Sequence, residues 1–289
     1  MRVCLPLNLR AVDELGLDPN QVLPWFSHET DQPYVLVRVS AENAAGWGAA
    51  LRDAVRRCYL SDEGLRSRAN ELEQELQGTF EARQAAVIGS KLPDPSATMA
   101  GDFGEILVYA YQAAKALPRA SIGPKKWRLK EARTKPAPYS DVIQFILPTW
   151  PTPSAQDEVL CAEVKMKSTD NGKSPIAASI EGCAKDRTSR LSNTLQWLKD
   201  RAITENLGAV QLAHLNRFIN AIEYPAAIKR FRAVAVICEN LVDAELPNAP
   251  QQASSDYELV VIAVPSLHAI YNAVFEAAKA STIPPVPQP

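Results

Sequence analysis

Two runs of uninterrupted apolar residues, Val234-Ala235-Val236-Ile237-Cys238 and Leu259-Val260-Val261-Ile262-Ala263-Val264, most constrain what this chain can fold into. A strand with one wet face alternates apolar and polar side chains, whereas a strand covered on both faces reads apolar throughout. Both runs therefore read as central strands. Helical patterns lie before, between and after them, so the spacing predicts an α/β sandwich around a mixed sheet flanked by helices.

Other elements follow from local pattern. Residues 34–39 are β-branched enough for a strand. Ser40-Ala41-Glu42 opens a helix that runs to about Tyr59. Ser61-Asp62-Glu63 opens another, with its acids near the positive end and Leu65, Leu72, Leu76 and Phe80 at helical spacing. The plain reading of that helix is packing, and partner docking is the alternative. Lys91-Leu92-Pro93-Asp94-Pro95-Ser96 marks a junction. It separates an N-terminal α+β region, 1–95, from a second region, 96–280. A proline-rich tail, 281–289, follows and is expected to be extended or disordered. The second region reads as a helix over 105–117, a basic stretch, strands over 141–147 and 159–167 joined by a proline-rich turn, a helical segment over 174–202 broken near Thr188-Ser189, strands over 231–238 and 257–264, and a last helix over 266–280.

Composition narrows the function. With 289 residues the chain can bury a sizeable core in one large domain or two smaller ones. Its formal net charge of -2 excludes a globally basic, histone-like binder, so any polyanion contact must come from a local patch. Five scattered cysteines (Cys4, Cys58, Cys161, Cys183, Cys238) form no metal spacing and read as reduced core thiols. His28, His214 and His268 are too far apart to propose a zinc site. No run approaches the ~20 apolar residues that span a bilayer. The N-terminus, with one charge and a proline interrupting its short apolar stretch, is a poor signal peptide. The expected location is the cytoplasm, with no membrane contact. No G-x-x-x-x-G-K-[ST] loop is present, so ATP hydrolysis would have to come from another chain.

The chemistry is concentrated in Cys161-Ala162-Glu163-Val164-Lys165-Met166-Lys167-Ser168. On a strand Glu163, Lys165 and Lys167 share one face while Val164 and Met166 share the other. A carboxylate and an ammonium on a buried strand are costly without partners. A divalent metal would satisfy the carboxylate and leave the lysine beside whatever the metal activates. Asp141 heads the preceding strand and supplies a second carboxylate. The bland alternative is a salt bridge at the end of the sheet. Glu105, expected in the first turn of its helix, is either a further site acid or a charge offsetting the helix dipole. Between them, residues 119–135 carry Arg119, Lys125, Lys126, Arg128, Lys130, Arg133 and Lys135 against Glu131 alone, with Trp127 inside. This stretch is either solvated surface or a grip on phosphates, and Lys167 adds to it.

An Asp followed by Glu-x-Lys resembles the restriction-endonuclease-like, PD-(D/E)XK, nucleases. That resemblance implies a nuclease domain over 96–280 and metal-dependent cleavage of nucleic acid. Mg²⁺, or Mn²⁺ in its place, would be held by Asp141, Glu163 and the Val164 carbonyl. Lys165 would orient the attacking water and stabilise developing charge. Lys125, Lys126, Arg128, Lys130, Arg133 and Lys167 would hold the DNA backbone. More narrowly, Gly104-Glu105-Ile106-Leu107, Ser140-Asp141, Ala162-Glu163-Val164-Lys165 and 191–199 are similar to the HamA family, the nuclease component of the Hachiman antiphage defence system. Membership implies an active site of Glu105, Asp141, Glu163 and Lys165, a superfamily 2 helicase partner (HamB), and DNA degradation released when the helicase senses aberrant DNA. The other readings are a non-catalytic nucleic-acid-binding or assembly subunit and a stand-alone restriction or repair nuclease.

Overall fold

Strands flank the apolar runs on each edge and helices cover each face in the structure, a computed structural model that describes residues 14–29, 31–170, 172–205, 207–220 and 222–284. The first part of the chain forms α1 (Pro19–Val22), β1 (Ser27–Glu29), β2 (Val35–Arg38), α2 (Ala41–Ala50), α3 (Arg52–Tyr59), α4 (Asp62–Glu71) and α5 (Phe80–Lys91). A long helix, α6 (Ala97–Lys115), leads to β3 (Val142–Ile146) and β4 (Glu158–Lys167). Then come α7 (Pro175–Lys185), α8 (Leu191–Arg201), α9 (Leu212–Ile219), β5 (Ile228–Cys238), α10 (Glu239–Glu245), β6 (Glu258–Val264) and α11 (Leu267–Lys279).

The six strands form one mixed sheet in the order β1-β2-β6-β5-β4-β3. β2, β6, β5 and β4 run parallel, and β1 and β3 close the edges antiparallel. The apolar runs are its centre, as their composition requires. On one face Val234, Val236, Val260 and Ile262 pack with α2, α3, α6 and α11; on the other Ala233, Ala235, Val261 and Ala263 pack with α7 and α10. Each fully buried Val or Ile contributes ~1.5–3 kcal/mol of transfer free energy. The result is an α/β, restriction-endonuclease-like fold with a mixed sheet flanked by helices.

The structure corrects several expectations. The boundary near residue 95 falls inside one core: β2 is hydrogen-bonded to β6, and a single apolar cluster runs from Leu15 to Ile283. The helix expected from 61 through Phe80 ends at Glu71, and Phe80 instead opens α5. Gly78 at φ 154° breaks the path, and the Thr79 hydroxyl accepts from the Ala82 N–H as a new N-cap. The helix expected from Glu105 begins eight residues earlier, capped by Ser96. The start of the tail is docked, since Gln84 exchanges two hydrogen bonds with the Ile283 backbone at 2.8 and 2.9 Å. The rest of the tail, Cys4 and the N-terminal stretch lie outside the described residues. Cys58, Cys161, Cys183 and Cys238 are all buried. No helix among the described residues is long and apolar enough to cross a membrane.

Candidate active site

The antiparallel register pairs Val142 with Ala162, so the next step along each strand sets Asp141 opposite Glu163. The ladder stops there. The Val164 N–H, left without a strand partner, donates to Asp141 Oδ2 at 2.8 Å. The approach to Asp141 is strained: Tyr139 has φ 66°, a left-handed conformation that costs a bulky residue on the order of 1–2 kcal/mol. Buried partners hold the turn against that strain. The Ser140 N–H donates to Thr194 Oγ1 at 3.1 Å and its hydroxyl to Asp186 Oδ1 at 2.8 Å, while the Lys126 ammonium donates to its carbonyl.

Alternation along β4 puts Glu163 and Lys165 on the α7 face. Lys165 Nζ lies 2.6 Å from Glu163 Oε1, 3.3 Å from the Val164 carbonyl and 3.8 Å from Asp141 Oδ2. Burial acts to lower the Lys165 pKa, but the Asp141 and Glu163 carboxylates outweigh it and the value moves up. The other Glu163 oxygen, Oε2, meets Arg190 Nη1 at 3.1 Å. Arg190 arrives there because α7 and α8 are joined by a π-helical turn, Asp186–Arg190, of the kind often found at functional sites. The same guanidinium donates to the Gly182 carbonyl at 2.7 Å and faces Asp186 at 3.4 Å.

Gly182 itself explains why α7 can lie so close. A Cβ at that position would overlap the Glu163 carboxylate, and the easiest relief is for the flexible carboxylate to move. Gly182→Ala is therefore expected to leave the protein folded, at a cost of ~1–3 kcal/mol. If Glu163 holds a metal, moving its carboxylate should weaken Mn²⁺ binding by about 10–100-fold, as losses around metal ligands do. Calorimetric titration checks this, and unchanged affinity would mean that Glu163 holds no metal.

Glu105 lies midway along α6 rather than in its first turn, so a dipole-offsetting role does not fit. It is buried and lines one cavity of about 670 Å³ together with Asp141, Glu163, Lys165, Arg190 and Tyr139. All four expected site residues thus meet in one cavity. Burial pushes the Glu105 carboxyl well above its ordinary range, and repulsion from Asp141 and Asp102 pushes it further. Burial and then Glu163 raise Asp141 to about 6. Between its ordinary value near 4 and 6 the folded protein holds more protons on Asp141 than the unfolded chain does, so stability falls as pH rises through that window. The two-unit shift corresponds to ~3 kcal/mol. Without metal, Asp141→Asn should be more stable than wild type above pH 6 and lose that advantage near pH 4. Melting curves in EDTA at pH 4 and 8 test this, and a pH-independent difference would refute it.

The basic stretch turns inward, which corrects the expected phosphate grip. Lys125 is buried against Tyr109 Oη at 2.6 Å, and Lys126 is buried on Ser140. Lys130 pairs with buried Asp102 at 2.6 Å. Arg128 donates to the Arg57 carbonyl at 2.7 Å. Lys167 is buried between Glu245 at 2.7 Å and Asp170 at 3.1 Å. Arg133, 42% exposed at its side chain and paired with Asp94, alone of the six keeps a substantial solvent face. Lys130 and Lys167 thus balance buried acids, Lys125 and Lys126 are held inside by a phenol and a backbone carbonyl, and these four do not form a surface.

Gly182 and Tyr139 were not singled out by sequence reasoning, and Arg190 stood out there only as one of several positive charges after the Glu-x-Lys strand. A glycine inside α7, where it weakens the helix by ~1 kcal/mol, was the available signal of close approach. As for a metal, the donors fit a hard divalent cation: two carboxylates and a carbonyl converge on the Lys165 ammonium. The ammonium stands where such a cation would be held.

A mixed sheet whose antiparallel edge opens between an Asp and a Glu-x-Lys, beside a buried helix glutamate, defines a restriction-endonuclease-like α/β protein. Among curated proteins, none matches the sequence. The HamA family profile matches residues 23–278, nearly the whole chain, and the chain belongs to that family, a component of the Hachiman antiphage defence system. The match takes in the N-terminal strands and helices, as the shared sheet requires.

Proposed function

We propose that this chain is a metal-dependent deoxyribonuclease, the effector of a Hachiman complex, with little sequence specificity and held in check by a superfamily 2 helicase partner in the cytoplasm. The observation that carries the reading is the Lys165 ammonium lodged among Asp141, Glu163 and the Val164 carbonyl. These three groups would hold Mg²⁺ or Mn²⁺, which supplies Lewis-acid neutralisation of phosphate charge when bound. Lys165, displaced from its carboxylates but only by the length of its own flexible stem, would face the attacking water and the developing phosphate charge. Its raised pKa keeps it cationic at neutral pH, which suits orientation and charge stabilisation and not general-base catalysis. Arg190 keeps Glu163 aimed at the same point, and Glu105 completes the acidic wall of the cavity.

The test is cleavage of plasmid and linear DNA by the purified protein in Mg²⁺ or EDTA, with and without the helicase subunit. Metal-dependent cleavage that Lys165→Ala abolishes is the expected result. One observation favours a second reading: among the described residues, no three His, Cys, Asp or Glu side chains form a ready-made metal set. A non-catalytic assembly subunit would keep the Lys165 bridge as a permanent ion pair. Tight helicase binding without cleavage under any condition would select it.

A further inference from the structure

The inner end of α8 meets the carboxylates, and its outer end carries features that the metal chemistry does not use. Arg190, Thr194, Trp197 and Arg201 are spaced by four, three and four residues, which on a helix makes one stripe about 16 Å long. Arg190 reaches Glu163, and Thr194 holds Ser140. Trp197 meets the Tyr139 ring edge-on at 6.4 Å, and the Arg201 guanidinium lies 5.8 Å from the Trp197 ring centroid. Arg201 forms no ion pair with another described residue.

Tyr139 is the unusual member. It is a bulky side chain in a left-handed conformation, yet 43% exposed, so burial of its ring does not compensate the strain. The strained turn does two things at once: it sends Asp141 into the cavity and sets the Tyr139 ring on the cavity's rim, two residues away. Pro136 and Pro138 stiffen the rim before it, and exposed Lys135 forms no ion pair with a described residue. An exposed Tyr139 ring backed by the half-buried Trp197, set between cations and leading into a cleft, is the arrangement that binds unstacked bases and their phosphates.

We propose that the cavity takes its DNA as a single strand, with an unstacked base on Tyr139 and Trp197 and the adjoining backbone running along α8 past Arg201 and Lys135 towards Asp141 and Glu163. This rests on the nuclease reading above and narrows its substrate. Bases inside a duplex are already stacked on their neighbours and offer no face to the ring.

The experiment compares binding of a fluorescent single-stranded oligonucleotide with that of a blunt duplex of the same sequence in Mg²⁺. Lys165→Ala is the common background, so that cleavage does not intervene. Tyr139→Gly suits φ 66° and should fold without strain, while Tyr139→Phe keeps the ring. Tyr139→Gly is expected to weaken single-strand binding about 5–150-fold, the equivalent of ~1–3 kcal/mol for one stacked base. Duplex binding should change less than about twofold, and Tyr139→Phe should match the parent. Equal losses on both DNAs, or no loss on the single strand, would overturn the proposal while leaving the nuclease reading standing. If the parent bound neither DNA, both would fall together.

Discussion

Lys165→Ala and Glu163→Ala are each expected to reduce metal-dependent DNA cleavage by at least about 10²–10³-fold, the scale on which one preorganised charge-stabilising group acts. The two variants should fail for different reasons. Glu163→Ala removes a proposed ligand and leaves Arg190 and Lys165 without their shared carboxylate. It should bind Mn²⁺ weakly. Lys165→Ala removes the cation that competes for the same oxygens, so it should bind Mn²⁺ at least as tightly as wild type while cleaving no better than background. That opposite movement of metal affinity and activity separates an orienting lysine from a structural one. Both proteins should fold, because Arg190 still neutralises Glu163 in the one and the strand pairing of β4 with β5 is untouched in the other. Full activity in both variants, or unfolding of either, would end the site assignment.

Lys130→Ala is expected to destabilise the protein by ~3–5 kcal/mol, the usual result of stripping one partner from a buried ion pair. Its Nζ lies 2.6 and 3.0 Å from the two Asp102 oxygens, and both side chains are buried. The Tyr59 hydroxyl donates to the same carboxylate, and the ammonium stands 5.9 Å from the Tyr59 ring centroid. Burial already raises the Asp102 pKa despite Lys130, so removing the lysine should leave the carboxyl protonated and the core loosened. The double variant Lys130→Met, Asp102→Asn should recover most of the loss, because it removes both charges together. Arg128→Glu with Lys130→Glu would set two new carboxylates against the Arg57 carbonyl and Asp102 and should not yield a folded protein. Urea denaturation with far-UV circular dichroism is the measurement. If the charge-reversed protein stayed as stable as wild type and lost only salt-dependent DNA binding, the stretch would be a phosphate grip after all.

Features governed by local geometry were legible in the sequence. The period of two along β4 put Glu163 and Lys165 on one face, and the apolar runs identified β5 and β6 as central because only strands covered on both sides read that way. Asp141 at the head of an apolar strand, and the helix break near Thr188-Ser189, were also visible, the latter as the π-helical turn. What sequence could not decide was the direction of each charge. A lysine in a basic run is solvated or buried according to whether an acid waits inside. That acid can be far away in the chain: Asp102 lies 28 residues from Lys130, and Glu245 lies 78 from Lys167. The same holds for Glu105, whose depth depended on a helix start fixed by Ser96, and for Arg190, whose reach depended on the packing of α7 at Gly182. The sequence by itself determined the strands, their faces and the residue types of the site. The tertiary structure alone decided which charges meet, because the energy of a buried charge is set by partners that only the fold brings within a few ångströms.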